Sequence, residues 1–533
     1  MKKLKLVCVA IAMAGAAPTF AGGLLTNTNQ HVAFNRMMSR EASIGIDGVY
    51  YNPAGVVFMG EGHHLAINWQ LAYQTRTINN DYKLFTNNVN NPITPRDFKG
   101  KAFAPVIPSF QYAYNKGKWS FQANFSLTGG GGKCTFDDGL GSFEKIVSET
   151  AIAACKLAGA VDQVAEAYHV PAIFSSNQCF GTEGKYSYNS YMHGRQYYYG
   201  LSVGAAYKFC DNFSAFLGVR GVYALTNYYG YVENINVGNM PLYKVLDPTK
   251  ENAANIELSC DQTGVGFTPI IGVDYKTGRW NFSAKYEFKT RIRLKNKSVN
   301  QTPSIGNLPA NLANQMTGIL TARYQQAGLP LEQAKQQAEN TTNTVLSDPK
   351  VGATMMGLKT QFDQKLNKAI GEYEDGKKIA GDIPGYLALG IGYSPVDAVR
   401  VNVGFHWFDD KNATSYNNRN KELKRGTLEY NAGVEVDVNK KITLSTGWQN
   451  TNYGLSDEYM DDKSFVVGSN SAAIGGVYHI NKKMDLNVAY FHTFYQHKKT
   501  SETVQLAADK SIVYNSDYTR NNNVFAVGLD INF

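Results

Sequence analysis

The chain has 533 residues, a formal charge of +8 and only 18% charged residues, yet it carries 34 Tyr and 27 Phe. So thin a positive excess gives no reason to expect nucleic acid as a partner. No window offers the ~20 consecutive apolar residues that a transmembrane helix requires.

The first residues, MKKLKLVCVAIAMAGAAPTFA, join a positive n-region (Lys2, Lys3, Lys5) to a short apolar core and a small-residue cleavage site. They read as a secretory signal peptide over 1–21, with Gly22 as the mature start. Losing its three lysines takes the formal charge from +8 to +5. Next comes DGVYYNPAGVVFMGEG, residues 47–62, with a tight Asn52-Pro53-Ala54 turn ahead of anything strand-like. It is either an ordinary surface turn or part of a segment meant to lie inside something.

Strand patterns begin at residue 63. In KWSFQANFSLT (118–128), Trp119, Phe121, Ala123, Phe125 and Leu127 share one face, and Ser120, Gln122, Asn124, Ser126 and Thr128 the other. This alternation separates an apolar side from a wet one. RWNFSAKYEFKT (279–290), TLEYNAGVEVDV (427–438) and the terminal NVFAVGLDINF repeat it. Fourteen such segments lie near 63–76, 105–115, 118–128, 195–209, 212–229, 264–276, 279–291, 382–394, 398–409, 426–438, 440–450, 470–480, 483–497 and 521–533. Pro105, Pro108 and Pro269 mark strand ends, bulges or local breaks, since proline cannot donate to a ladder.

Short turns (NKGK, CDN, KTG, SPVD, NKK, NKK) alternate with long connections, the largest over 129–194 and 292–381. Short turns on one rim and long loops on the other are the layout of bacterial outer-membrane barrels. The expected fold is therefore all-β: a 14-stranded antiparallel transmembrane β-barrel over 63–533, with both chain ends in the periplasm. Its hydropathy averages out because only every second residue meets lipid. The terminal Phe533 falls on the apolar face, as expected of a last strand presented to the barrel-assembly machinery. Residues 142–170 and much of 306–376 look helical, with Leu308, Leu312, Met316, Ile319 and Leu320 at helical spacing. These faces either pack on the barrel rim or form an apolar groove for a greasy ligand.

Chemical motifs are sparse. TGGGGKC (128–134) lacks the Ser or Thr that follows lysine in a phosphate loop, and it reads as the start of a flexible loop. His63 and His64 are adjacent, which is poor geometry for one metal. His406, His479, His492 and His497 are scattered, and no nucleophile elbow is present. No enzyme, cofactor or metal site is expected. The five cysteines beyond the leader, Cys134, Cys155, Cys179, Cys210 and Cys260, are odd in number, so at least one thiol stays outside any internal pairing. One disulfide within the 129–194 stretch is compatible with an oxidising compartment.

The N-terminal stretch GGLLTNTNQHVAFNRMMSREASIGIDGVYYNPAGVVFMGEG (22–62), with Asn52-Pro53-Ala54 just ahead of strand one, resembles the plug of FadL-type outer-membrane transporters of long-chain fatty acids and other hydrophobic compounds. The likeness runs through fourteen strands and two helical outer loops to Phe533. It implies a plug (22–62) inside the lumen, gating at Asn52, Pro53 and Ala54, and outer loops that catch an apolar ligand. It also implies lateral release of that ligand into the outer leaflet. Arg36 and Arg40 either meet a carboxylate head group or pair with acids of the barrel interior. The implied partners are a hydrophobic small molecule or lipid and the outer-membrane lipids. Two other readings share the architecture: a general porin with an open lumen, and a surface-binding barrel acting through its loops.

Overall fold

The computed structural model describes residues 25–27, 29–174, 184–303, 307–507 and 510–533. The predicted leader lies outside these. One antiparallel sheet closes on itself. Its wall strands are β1 (Gly62–Tyr82), β2 (Arg96–Lys116), β3 (Trp119–Phe136), β4 (Tyr186–Cys210), β5 (Phe213–Val237) and β6 (Ile256–Thr277). β7 runs as Trp280–Glu287 and Arg293–Gln301, and β8 as Lys378–Ala380 and Tyr386–Val396. Then come β9 (Val399–Phe408), β10 (Arg425–Asn439), β11 (Ile442–Gly454) and β12 (Ser469–Asn481). β13 runs as Met484–Tyr495 and Lys498–Ala507, and β14 is Lys510–Asn532. β14 pairs with β1 from His64↔Asn532 to Tyr82↔Tyr514, which closes a wall of fourteen strands.

Which face is which decides the environment. The wall is inverted relative to a soluble protein: Leu217 and Phe267 are 69% and 66% exposed, while Gln70 and Gln449 are fully buried at 0%. In β3, Trp119 and Phe121 point out, and Ser120, Gln122, Asn124 and Ser126 are buried inside. A soluble sandwich buries its apolar face, so an apolar exterior around a polar interior identifies a transmembrane barrel. The predicted wet face is thus not wet at this level, because the N-terminal segment fills it.

Several strands outrun their predicted ends on the long-loop side. β14 begins at Lys510, not near 521, and forms a hairpin with the second part of β13, so residues 498–520 are largely strand. Beyond the bilayer both faces meet water or loops, and the apolar alternation that betrays a strand disappears. TGGGGKC is likewise strand, within β3. Its glycines supply no alternation to read.

Four helices of the outer loops lie over the outer mouth, numbered after the two plug helices. The plug helices are α1 (Val32–Arg36) and α2 (Gly48–Tyr51). The loop helices are α3 (Gly141–Ala167), α4 (Leu308–Gln326), α5 (Leu331–Leu346) and α6 (Pro349–Ile370). Leu312, Met316 and Leu320 of α4 share one buried cluster with Val161 and Val164 of α3. The helical spacing in 306–376 therefore serves packing of the cap on itself. Among the described residues Cys134, Cys210 and Cys260 form no disulfide, and Cys179 lies outside them.

A plugged lumen with a cavity at an unpaired seam

Residues 29–57 run through the barrel interior and are almost wholly buried. Their backbone approaches the wall closely where the wall has glycine. A Cβ at Gly390, Gly433, Gly447 or Gly475 would collide with Glu41, Met37, Met38 or Arg36. Polar contacts then fix the register. His406 Nε2 lies 2.7 Å from Glu41 Oε1, and its Nδ1 lies 2.9 Å from Glu429. Lys285 donates to the Tyr50 carbonyl at 2.7 Å.

The Asn-Pro-Ala turn is held by three different strands. The Asn52 side-chain amide donates to Asp274 of β6 at 2.6 Å. Gln122 of β3 donates to the Pro53 carbonyl at 2.7 Å, and Ser214 of β5 donates to the Ala54 carbonyl at 2.7 Å. Gly55 donates back to the Asn52 side-chain oxygen at 3.2 Å. A side chain at Gly55 would strike Asn52 itself.

Both predicted arginines direct their guanidinium groups to carboxylates of the protein. Arg36 pairs with Glu435 of β10 and donates to Ser445 at 3.1 Å. Arg40 donates to Asp47 at 2.7 and 3.1 Å and to Glu435 at 3.1 Å. Burial alone would raise the Asp47 carboxyl, but the Arg40 guanidinium outweighs it and holds Asp47 below the usual carboxylate range.

Above the plug is a cavity of about 270 Å³, lined by Leu25, Ile107, Leu127, Phe491 and Val524 among others. Its polar end carries Arg76 and Arg520, which sequence reasoning did not single out. They stand directly opposite each other across the β1–β14 ladder. Arg76 donates to Gln74 at 2.9 Å, and the Arg520 guanidinium lies 4.9 Å from the centre of the Phe465 ring. The buried Nε of Arg520 has no hydrogen-bond partner. No carboxylate of the described residues forms an ion pair with either. Like charges directly opposite are destabilising, so this pair costs stability as it stands. On the periplasmic side of the plug lies a second cavity of about 630 Å³, lined by Arg36, Arg40, Asp47, Glu435 and His479. The two cavities share no lining residue.

The wall beside the upper cavity is incomplete. β2 and β3 pair at Gly100–Ala102 and again from Ser109 to Lys116, and the ladder is interrupted between. Pro105 and Pro108 lack the N–H groups a ladder needs. On the other side of the seam, β3 is irregular against β4 at Leu127/Gly129 and Gly130/Gly132. Gly130 has φ +77 and its Cβ would meet the Gln196 carbonyl, so no other residue fits there without strain. Ala102, Ala104 and Ile107 from one side and Leu127, Gly129, Gly130 and Gly132 from the other all line the cavity. The seam therefore borders the lumen cavity directly.

Toward the outer surface a small apolar pocket of about 60 Å³ sits among Phe143, Ile146, Tyr231, Leu258 and Tyr373. Met192, Tyr228 and Lys463 line both it and the lumen cavity. The outer pocket under α3 thus borders the lumen cavity, which in turn borders the seam.

No protein-family model matches the chain, and no curated protein matches it. Among solved structures, a FadL homologue of Pseudomonas aeruginosa superposes with a TM-score of 0.57 at 14% identity, over 96% of this chain and 100% of that one. The TodX monoaromatic hydrocarbon channel, as a deltaS2S3 mutant, gives 0.50 at 13% identity over 94% of this chain and 98% of its own. The toluene transporter TodX of Pseudomonas putida gives 0.48 at 11% identity over 92% and 94%. At such identities the likeness is one of fold. The chain has the FadL-type fold, a plugged fourteen-stranded barrel of the bacterial outer membrane.

Proposed function

We propose that this protein carries hydrophobic compounds, long-chain fatty acids or similar lipids, across the outer membrane and releases them sideways through the β2–β3 seam. One observation carries the reading: the lumen cavity meets the wall where the ladder is interrupted, above a plug that separates it from the periplasmic cavity. An apolar molecule gains by staying out of water, about 0.8 kcal/mol per methylene buried. A route from groove to cavity to bilayer never exposes it. The unpaired Arg76 and Arg520 support a ligand with one anionic head, whose carboxylate relieves their repulsion and takes charge-assisted hydrogen bonds. In this reading Asn52, Pro53 and Ala54 hold the plug and move with it, and the exposed terminal Phe533 is what the barrel-assembly machinery recognises.

A solved barrel of this fold is described as a monoaromatic hydrocarbon channel. The aromatic lining of the outer pocket makes a neutral aromatic hydrocarbon the second ligand to test. A Cβ at Gly132 would sit 3.7 Å from the Ala104 Cβ, within the range of a disulfide. Ala104→Cys with Gly132→Cys, in a Cys134→Ser background, staples the seam when oxidised. Uptake of oleate into cells is expected to fall about tenfold or more on oxidation, if the seam is the dominant exit, and to recover on reduction. Equal uptake in both states would remove lateral release through this seam.

A further inference from the structure

From Arg291, in the break of β7, to Lys297 in its outer part, a cation stands at each successive outward position. Arg291, Arg293, Lys295 and Lys297 are exposed, and Ile292, Leu294 and Asn296 between them are buried. Lys378 of β8 is also exposed and stands directly across the ladder from Lys295. Arg293 has a protein partner, Asp382, at 2.8 Å. Arg291, Lys295, Lys297 and Lys378 form no ion pair with any described residue. Asp261, opposite Lys297 in register, accepts from Asn227 at 2.8 Å. Ordinary solubilising charge comes with both signs interspersed. Here Lys295 and Lys378 face each other across a ladder, an arrangement that costs stability unless something anionic sits between them.

The height of this stripe identifies its neighbour. On the same outward surface, Tyr275, Val273, Ile271, Phe267 and Val265 of β6 are exposed, as are Trp280, Phe282 and Phe288 in and just after the first part of β7. That apolar band is about ten residues tall, enough for a tilted strand to cross the hydrocarbon layer. Arg291 and Arg293 stand level with its last apolar residues, Phe267 and Val265, and Lys295 and Lys297 lie beyond them on the long-loop side. At that level an outward side chain meets lipid head groups. Lysine and arginine stems lie along apolar surface while their heads reach the polar layer, and guanidinium groups bind phosphate oxygens in pairs.

We propose that Arg291, Lys295, Lys297 and Lys378 form a binding site on the barrel exterior for the phosphate groups of a phosphorylated lipid of the outer leaflet. This site is separate from the transport path, and it stands whether or not the seam conducts.

The test uses the full chain and a variant with Arg291→Gln, Lys295→Gln, Lys297→Gln and Lys378→Gln. Both are reconstituted in phosphatidylcholine vesicles with and without a bis-phosphorylated glycolipid. They are then extracted gently and weighed intact by native mass spectrometry. The wild type is expected to retain the phosphorylated lipid, and the variant to bind it at least about tenfold more weakly. Control changes at the periplasmic turn, Lys440→Gln and Lys441→Gln, are expected to leave retention unchanged. The variant relieves repulsion, so heat-modifiable migration is expected to show a folded barrel. Should the fourfold change prevent folding, the Lys295→Gln, Lys378→Gln pair reads the same loss in smaller measure. Equal retention by wild type and the folded variant, or retention of phosphatidylcholine as firmly as the phosphorylated lipid, would overturn the site.

Discussion

Single side chains show how unevenly this molecule is encoded. Asn52-Pro53-Ala54 stands out in the sequence because proline fixes a dihedral and the turn precedes every strand. What it touches does not stand out, because Asp274 lies 222 positions downstream. Asn52→Ala removes a buried donor from Asp274 and is expected to loosen plug docking by about 1–3 kcal/mol while the barrel still assembles. The check is protease cleavage within 29–57 of the folded, membrane-embedded protein, measured beside fatty-acid uptake. Arg76 and Arg520 illustrate the opposite case. Nothing in sequence marks them, since only closure of β1 on β14 places them face to face. Arg520→Gln is expected to weaken fatty-acid binding by about 1.5–3 kcal/mol and to leave toluene binding unchanged. Equal loss for both ligands, measured by calorimetry on detergent-solubilised protein, would count against a head-group role.

Among the elements, the strands were legible wherever one face meets lipid and the other the lumen, and illegible beyond the bilayer. The outer loops add a pH dependence of their own. Asp462 accepts from the Ser142 N–H at 2.8 Å and from Tyr518 at 3.0 Å, and burial, with Asp461 beside it, pushes its carboxyl up to about 6. Burial pushes Glu372, next to Tyr373 of the outer pocket, up to about 8. Both values are raised above the roughly 4 of an unfolded carboxyl. Their contribution to stability is therefore complete below about pH 4 and is lost as pH rises through about 6 and 8. Hydrogen exchange at residues 141–146, 371–375 and 456–466, corrected for intrinsic rate, is expected to show protection falling between about pH 5 and pH 9. Protection that rises with pH over this interval would contradict the assignment.

At the scale of the whole molecule, the interior is partitioned. The plug fills the barrel between an upper cavity that borders the interrupted β2–β3 ladder and a lower one that faces the periplasm. A general porin keeps an open aqueous lumen, and this arrangement does not. Liposomes carrying the intact protein are expected to resist swelling by small sugars, whereas deletion of residues 25–46 leaves the wall ladder intact and is expected to admit them. Swelling by the intact protein as fast as by a known porin would favour the open-lumen reading.

The sequence by itself determined the barrel: strand number, the side of the short turns, the helical insertions and an N-terminal segment ahead of the wall. Those features follow from periodicity and turn chemistry, which act between near neighbours and leave a local trace. Tertiary structure alone decided the rest. The seam arises where the prolines of β2 come to lie against the glycines of β3. The arginine pair, the anchoring of the plug and the cationic stripe each join residues from separate strands. Such contacts depend on closure and register, and no local run of residues records which strands the closed ladder will bring together.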